Sequence, residues 1–138
     1  MKAEVDVRTN EAGQLLGVTY HDGYMVKFCF DKRLNFEVCA TDSSLTELVL
    51  SGIKTLCTDP LWENSIVTDI DVWKAAMAPI RYWKNLLQGR EGLQGVEAER
   101  MRYLPDCADF WLVEVGTAYG GGFSCLCEHL QVFRTPPA

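Results

Sequence analysis

Apolar and polar residues alternate with a period of two through residues 21–40, and turn-forming residues interrupt the pattern where an antiparallel sheet needs them. Asp22-Gly23 suits the positive φ of a tight turn. Beyond it, Tyr24, Val26, Phe28 and Phe30 are expected on one face of a strand, with Met25, Lys27 and Cys29 on the other. After Asp31-Lys32 the alternation resumes, and Leu34, Phe36, Val38 and Ala40 share a face opposite Asn35 and Glu37. Further strands are predicted over residues 4–8, 14–20, 45–57, 65–73, 109–119 and 123–134. Asn10-Glu11-Ala12-Gly13 reads as a turn, Gly52 marks a bulge, and Gly120-Gly121-Gly122 reads as a hairpin loop. In the 65–73 strand, Ile66, Thr68, Ile70 and Val72 fall on one face, and Val67, Asp69, Asp71 and Trp73 on the other.

The period changes once. Pro79 suits a helix start and Gly89 a C-terminal cap, and between them Ile80, Trp83 and Leu87 recur at helical spacing. Residues 96–104 follow neither period. The tally, about eight strands and one helix around residues 79–88 joined by short turns, predicts an α+β, mainly antiparallel β fold. A β-sandwich or half-barrel carrying one helix is the expected architecture.

At 138 residues the chain is expected to form a single globular domain, residues 1–138, with a core that needs no metal or disulfide to hold it. No run of about 20 apolar residues suggests a membrane span. The polar start Met1-Lys2-Ala3-Glu4-Val5-Asp6 lacks the apolar region of a secretory signal, so a cytoplasmic protein is expected. In that compartment the six cysteines, at 29, 39, 57, 107, 125 and 127, read as free thiols acting as small hydrophobes.

The net charge of −6 argues against nucleic acid as the partner, because phosphate binding needs a concentrated basic surface. Residues 1–73 hold 6 Lys/Arg against 12 Asp/Glu, whereas residues 74–102 hold 6 against 3. An acidic body of this kind suits a basic protein partner.

Candidate chemistry is sparse. Cys125, Cys127 and His129 would share one face of a regular strand and could offer three soft ligands, but the spacing lacks the turn-borne CxxC pattern of zinc sites. Two small residues filling a strand face explain them as well, and no metal or other cofactor is predicted. Asp69 and Asp71, roughly 7 Å apart along a strand face, could hold Mg²⁺ or act as an acid and base. His21 sits in a turn beside Asp22, and no Gly-x-Ser-x-Gly elbow is present, so no catalytic residue is assigned. Trp62, in a loop with Glu63, has the make-up of a contact residue.

The stretch Leu48-Val49-Leu50-Ser51-Gly52-Ile53 and the later Leu61-Trp62-Glu63-Asn64-Ser65-Ile66-Val67-Thr68-Asp69-Ile70 resemble segments of small bacterial β-rich proteins, some of which are immunity proteins against polymorphic toxins. The resemblance implies a compact inhibitor of a basic protein and transfers no catalytic residue. Together with the charge it favours a protein-binding module using Trp62, Glu63, Asp69 and Asp71. The alternatives are a small-ligand or metal-dependent enzyme built on Asp69/Asp71 or Cys125/Cys127/His129, and a self-associating protein that pairs through a strand edge or the helix around Trp83.

Overall fold

The alternating segments become strands β1 (Ala3–Val5), β2 (Gly23–Phe30), β3 (Leu34–Cys39), β4 (Leu45–Thr58), β5 (Ile66–Lys74), β6 (Trp111–Thr117) and β7 (Gly122–Thr135). Helices α1 (Ile80–Leu86) and α2 (Gly92–Cys107) lie between β5 and β6. The computed structural model describes residues 1–59, 61, 64–88 and 92–137, with the side chains of 92–94 left out.

The strands are antiparallel throughout, in the order β7-β4-β3-β2-β5-β6, and β6 pairs back onto β7. The result is a closed six-stranded barrel with β1 added to β7, not the expected sandwich or half-barrel. Strand length explains the closure. β7, with 14 residues, pairs β4 along one edge. Its other edge is shared, Gly122–Cys127 pairing with β6 and Val132–Arg134 with β1. Seven strands are described instead of about eight, because residues 14–20 form no continuous strand. That segment bridges the barrel at its weakest seam, where β2 and β5 pair only at Gly23–Val67 and Tyr24–Ile66. Leu15 N–H donates to the Ile70 carbonyl (2.9 Å), and Val72 N–H donates to the Gly13 carbonyl (2.7 Å). Gly13, at φ +82°, is required here because a Cβ would lie 2.4 Å from the Trp73 indole.

The interior is filled by Leu34, Phe36 and Val38 of β3, Leu48 and Leu50 of β4, and Val113 and Val115 of β6, with matching residues of the other strands. The 34–40 alternation is observed as expected. Elsewhere bulges shift the predicted faces. One between Met25 and Lys27 turns Met25 and Phe28 inward together and leaves Val26 outside. Another between Val67 and Asp69 brings Val67 inward with Ile70 and Val72, while Thr68 leaves that set. On β4 and β7 the inward positions jump from Leu50 to Ile53 and from Cys127 to Leu130, where Gly52 takes φ +63° opposite Glu128.

A second core lies outside the barrel. Leu112 of β6 and Leu126 of β7 project outward and are covered by Tyr82, Trp83 and Leu86 of α1 and by Val96 and Cys107 of α2. α1 ends near the expected position, with Pro79 at its N-cap; Gly89, expected as its C-terminal cap, is outside the described residues. α2 is a second helix where one was expected. Its 16 residues fully bury only Val96 and Cys107 among the described side chains, with Tyr103 and Leu104 partly buried beside them, and Glu97–Arg100 and Glu99–Arg102 ion pairs occupy its other side, so the apolar stripe is sparse in the sequence. Among the described residues no helix is long and apolar enough to cross a membrane.

Candidate acidic site on the outer barrel face

The alternation that sends Ile70 and Val72 of β5 inward sends Asp69, Asp71 and Trp73 outward, and on β6 it sends Glu114 outward between Val113 and Val115. Register then places Asp71 directly opposite Glu114, and Glu114 opposite Ser124 of β7. Side chains directly opposite on neighbouring strands stand about 5 Å apart at Cβ. Three carboxylates thus share one small face.

α1 supplies the donors that hold two of them. The Tyr82 hydroxyl donates to Asp71 Oδ2 (2.8 Å), and Asn85 Nδ2 donates to Glu114 Oε1 (2.7 Å). Positions 82 and 85 are three apart, so both residues face the sheet from adjacent turns. Ser124 Oγ donates weakly to the same Glu114 oxygen (3.4 Å). Arg81 of the same helix donates to the Tyr82 hydroxyl (2.7 Å) and stacks on the Tyr82 ring, 4.4 Å from its centroid. It forms no ion pair with Asp71 or Glu114. Neither does any other cation among the described residues, and Asp69 is likewise unpaired, accepting only from Thr68 Oγ1 (3.0 Å).

The electrostatic consequence is clear. Burial is the main force pushing the Asp71 carboxyl above its usual range; the Tyr82 bond opposes it, and the Asp69 charge adds to it. Glu114 is also pushed up, first by burial and then by Asp71, against the Asn85 bond. Asp71 is only 8% exposed, and its Oδ1 has no hydrogen-bond partner. An unpartnered oxygen on a buried carboxylate is costly, by about 1–3 kcal/mol.

Beside Glu114 a cleft of about 520 Å³ opens between α1 and the glycine loop, lined by Asp59, Lys84, Asn85, Gln88, Gly121 and Ser124 among others. Gly116 separates this cleft from Asp69, whose Oδ2 would lie 3.8 Å from a Cβ built there. A shallower pocket of about 360 Å³ on the far side brings Asp69 together with His21. His21 Nδ1 is 3.0 Å from the Thr68 carbonyl, so that nitrogen carries the proton and Nε2 is left toward Asp22.

The predicted residues therefore separate. Asp69 is exposed and available, whereas Asp71 lies under Tyr82 and is not presented at the surface. Trp62 and Glu63 lie outside the described residues. Cys125 and Cys127 point into the barrel, while the kink beside Gly52 turns His129 outward, its side chain 68% exposed and 3.3 Å from Glu128 Oε1. The trio is not brought together, and among the described residues no group of three His, Cys, Asp or Glu side chains is placed to hold a metal ion. All six cysteines are free thiols.

Glu114, Tyr82, Asn85 and Ser124 were not singled out by sequence. One signal was available, since Glu114 is the sole acidic residue in the apolar run Phe110-Trp111-Leu112-Val113-Glu114-Val115, where an unpaired charge is costly. Comparison of the chain with family models, with curated proteins and with solved structures returns no match, so the chemistry of this face carries the functional reading.

Proposed function

We propose that this protein is a binding module for a basic protein partner, and that a lysine or arginine side chain of the partner is received against the exposed Asp69 and the half-buried Glu114, with the charge of Asp71 behind them. The observation that supports the reading is a shortage of positive charge. Three carboxylates share one face, two of them are partly stripped of water, and among the described residues no cation pairs with any of them. Desolvated carboxylates in this condition gain more from an incoming cation than solvated ones do. The net charge of −6 adds long-range attraction for a basic surface. An immunity-type inhibitor, as the sequence resemblance implies, is one form such a module takes.

The test is titration of isotope-labelled protein with an arginine-rich peptide at low and physiological salt. Amide shifts should concentrate at Asp69, Asn85, Glu114 and Ser124, and Glu114→Gln should weaken binding at least ten-fold. Shifts confined to other faces, or binding that Glu114→Gln and Asp69→Asn leave intact, would overturn the assignment.

A further inference from the structure

The acidic face has two features that a simple charged patch lacks. Asp71 and Glu114 are directly opposite each other on β5 and β6, so two like charges meet in a site that α1 shields from water. Asp71 Oδ1 is buried without a partner, although Oδ2 of the same carboxylate is bonded. A buried carboxyl directly opposite a half-buried one resists full ionisation of the two, because the second charge must be created beside the first where water screens poorly.

We propose that the pair Asp71 and Glu114 holds one proton between them in the free protein, and that a cation captured at this face displaces it. The coupling rests on the reading of the face as a cation site. It adds that capture releases a proton and weakens in mild acid.

The groups surrounding the pair support this assignment. From β5, Asp69 adds negative charge, and from the N-terminal segment the buried Tyr20 hydroxyl feels Asp69 and Asp71 but donates to the Leu15 and Ile70 carbonyls instead. From α1, Tyr82 and Asn85 are neutral donors, Arg81 is engaged with Tyr82, and Lys84 lines the cleft without an ion pair. From β7 comes the neutral Ser124, and from the end of β4 come Cys57 and Asp59, the latter accepting from Gln88 (3.4 Å). Among the described residues only Arg81 offsets both carboxyl groups, and it does so without an ion pair to either. A proton supplies the missing positive charge until a ligand does. The exchange balances: one carboxylic O–H bond breaks, the proton passes to solvent or buffer, and the cation is held at Glu114 in the cleft with the charge of Asp71 behind it.

Two measurements test the proposal. In the free protein, carboxyl carbon shifts followed by NMR from pH 3 to pH 9 should show Asp71 and Glu114 titrating in two mutually dependent steps, the second above the ordinary carboxylate range. In Asp71→Asn the upper step should disappear. Independent titration of both groups in the ordinary range would overturn the proposal without any ligand. Argininamide is the probe for the coupling, measured by calorimetry in two buffers of different ionisation enthalpy. Wherever the pair holds its proton, affinity should rise with pH by up to ten-fold per unit, with up to one proton released per cation bound. Binding that is independent of both pH and buffer overturns the coupling while leaving the cation site standing. Absence of binding across the whole pH range overturns the cation site, and the coupling with it.

Discussion

Removing a single oxygen, by Tyr82→Phe, tests the energetics of the acidic face most directly. Tyr82 is fully buried, and its hydroxyl gives Asp71 its only side-chain hydrogen bond among the described residues while accepting one from Arg81. The ring is retained, so packing against Trp73 at 5.6 Å between centroids is retained with it. What is lost is a hydrogen bond to a buried carboxylate, worth about 1.5–3 kcal/mol. For 138 residues the unfolding entropy is about 0.29 kcal/mol/K, so Tm should fall by about 5–10 °C. That loss should depend on pH. Burial raises the folded-state affinity of Asp71 for its proton above that of the unfolded chain. Below the ordinary carboxylate range both states are protonated and the group is neutral toward stability. As pH rises through the window between the unfolded and the raised folded values, the folded state binds more protons than the unfolded one, and stability falls. Above that window Asp71 is ionised in the fold and depends most on Tyr82. The Tyr82→Phe deficit should therefore be largest near pH 8 and about halved near pH 4, where the bond is to a neutral carboxyl. Thermal melts of both proteins across this range, followed by circular dichroism, measure it. An equal deficit at both ends, or one under about 2 °C at pH 8, would refute the picture of a charged, desolvated Asp71 stabilised by this hydroxyl.

Two further outcomes follow from the barrel itself. Gly122→Ala should cost about 3 kcal/mol or more, because the new Cβ would lie 2.0 Å from the Val115 carbonyl oxygen where β6 meets β7, whereas Gly120→Ala, at φ +86° in open space, should cost about 1 kcal/mol; urea unfolding of the two variants compares them directly. Thiol labelling of the native protein should be fast at the exposed Cys29 and absent at Cys107, Cys125 and Cys127 until unfolding, since burial closes off all three, and the bond to Cys125 together with burial pushes the Cys127 thiol up; rapid labelling of Cys127 would mean the barrel interior is not closed as described.

Much of the architecture was readable from local patterns. The alternation over 34–40, the bend at Gly52 and the helix start at Pro79 each depend on a few neighbouring residues, and each is observed, whereas at Asp22-Gly23 only Asp22 takes a positive φ and Gly23 already begins β2, with no preceding strand to complete a hairpin. The faces of β2, and those of Val67 and Thr68 at the start of β5, were not readable, because a one-residue bulge inverts the positions on one side of it and no residue type announces one. The same limit dissolved the Cys125, Cys127 and His129 trio. α2 was missed as well, and its stability comes from docking Val96, Tyr103, Leu104 and Cys107 onto the core that includes Leu112 and Leu126.

The sequence by itself determined an antiparallel, mostly β chain with an acidic surface and Asp69 and Asp71 on one strand face, since periodicity and charge are local properties. Only the tertiary structure decided that the sheet closes, because closure depends on β6 finding β5 across the intervening helices and on β7 reaching back to β4. Closure also set the register that places Glu114 opposite Asp71 and lays Tyr82 and Asn85 over them. A carboxylate becomes a candidate for function through its desolvation and its neighbours, and both are supplied by elements distant along the chain.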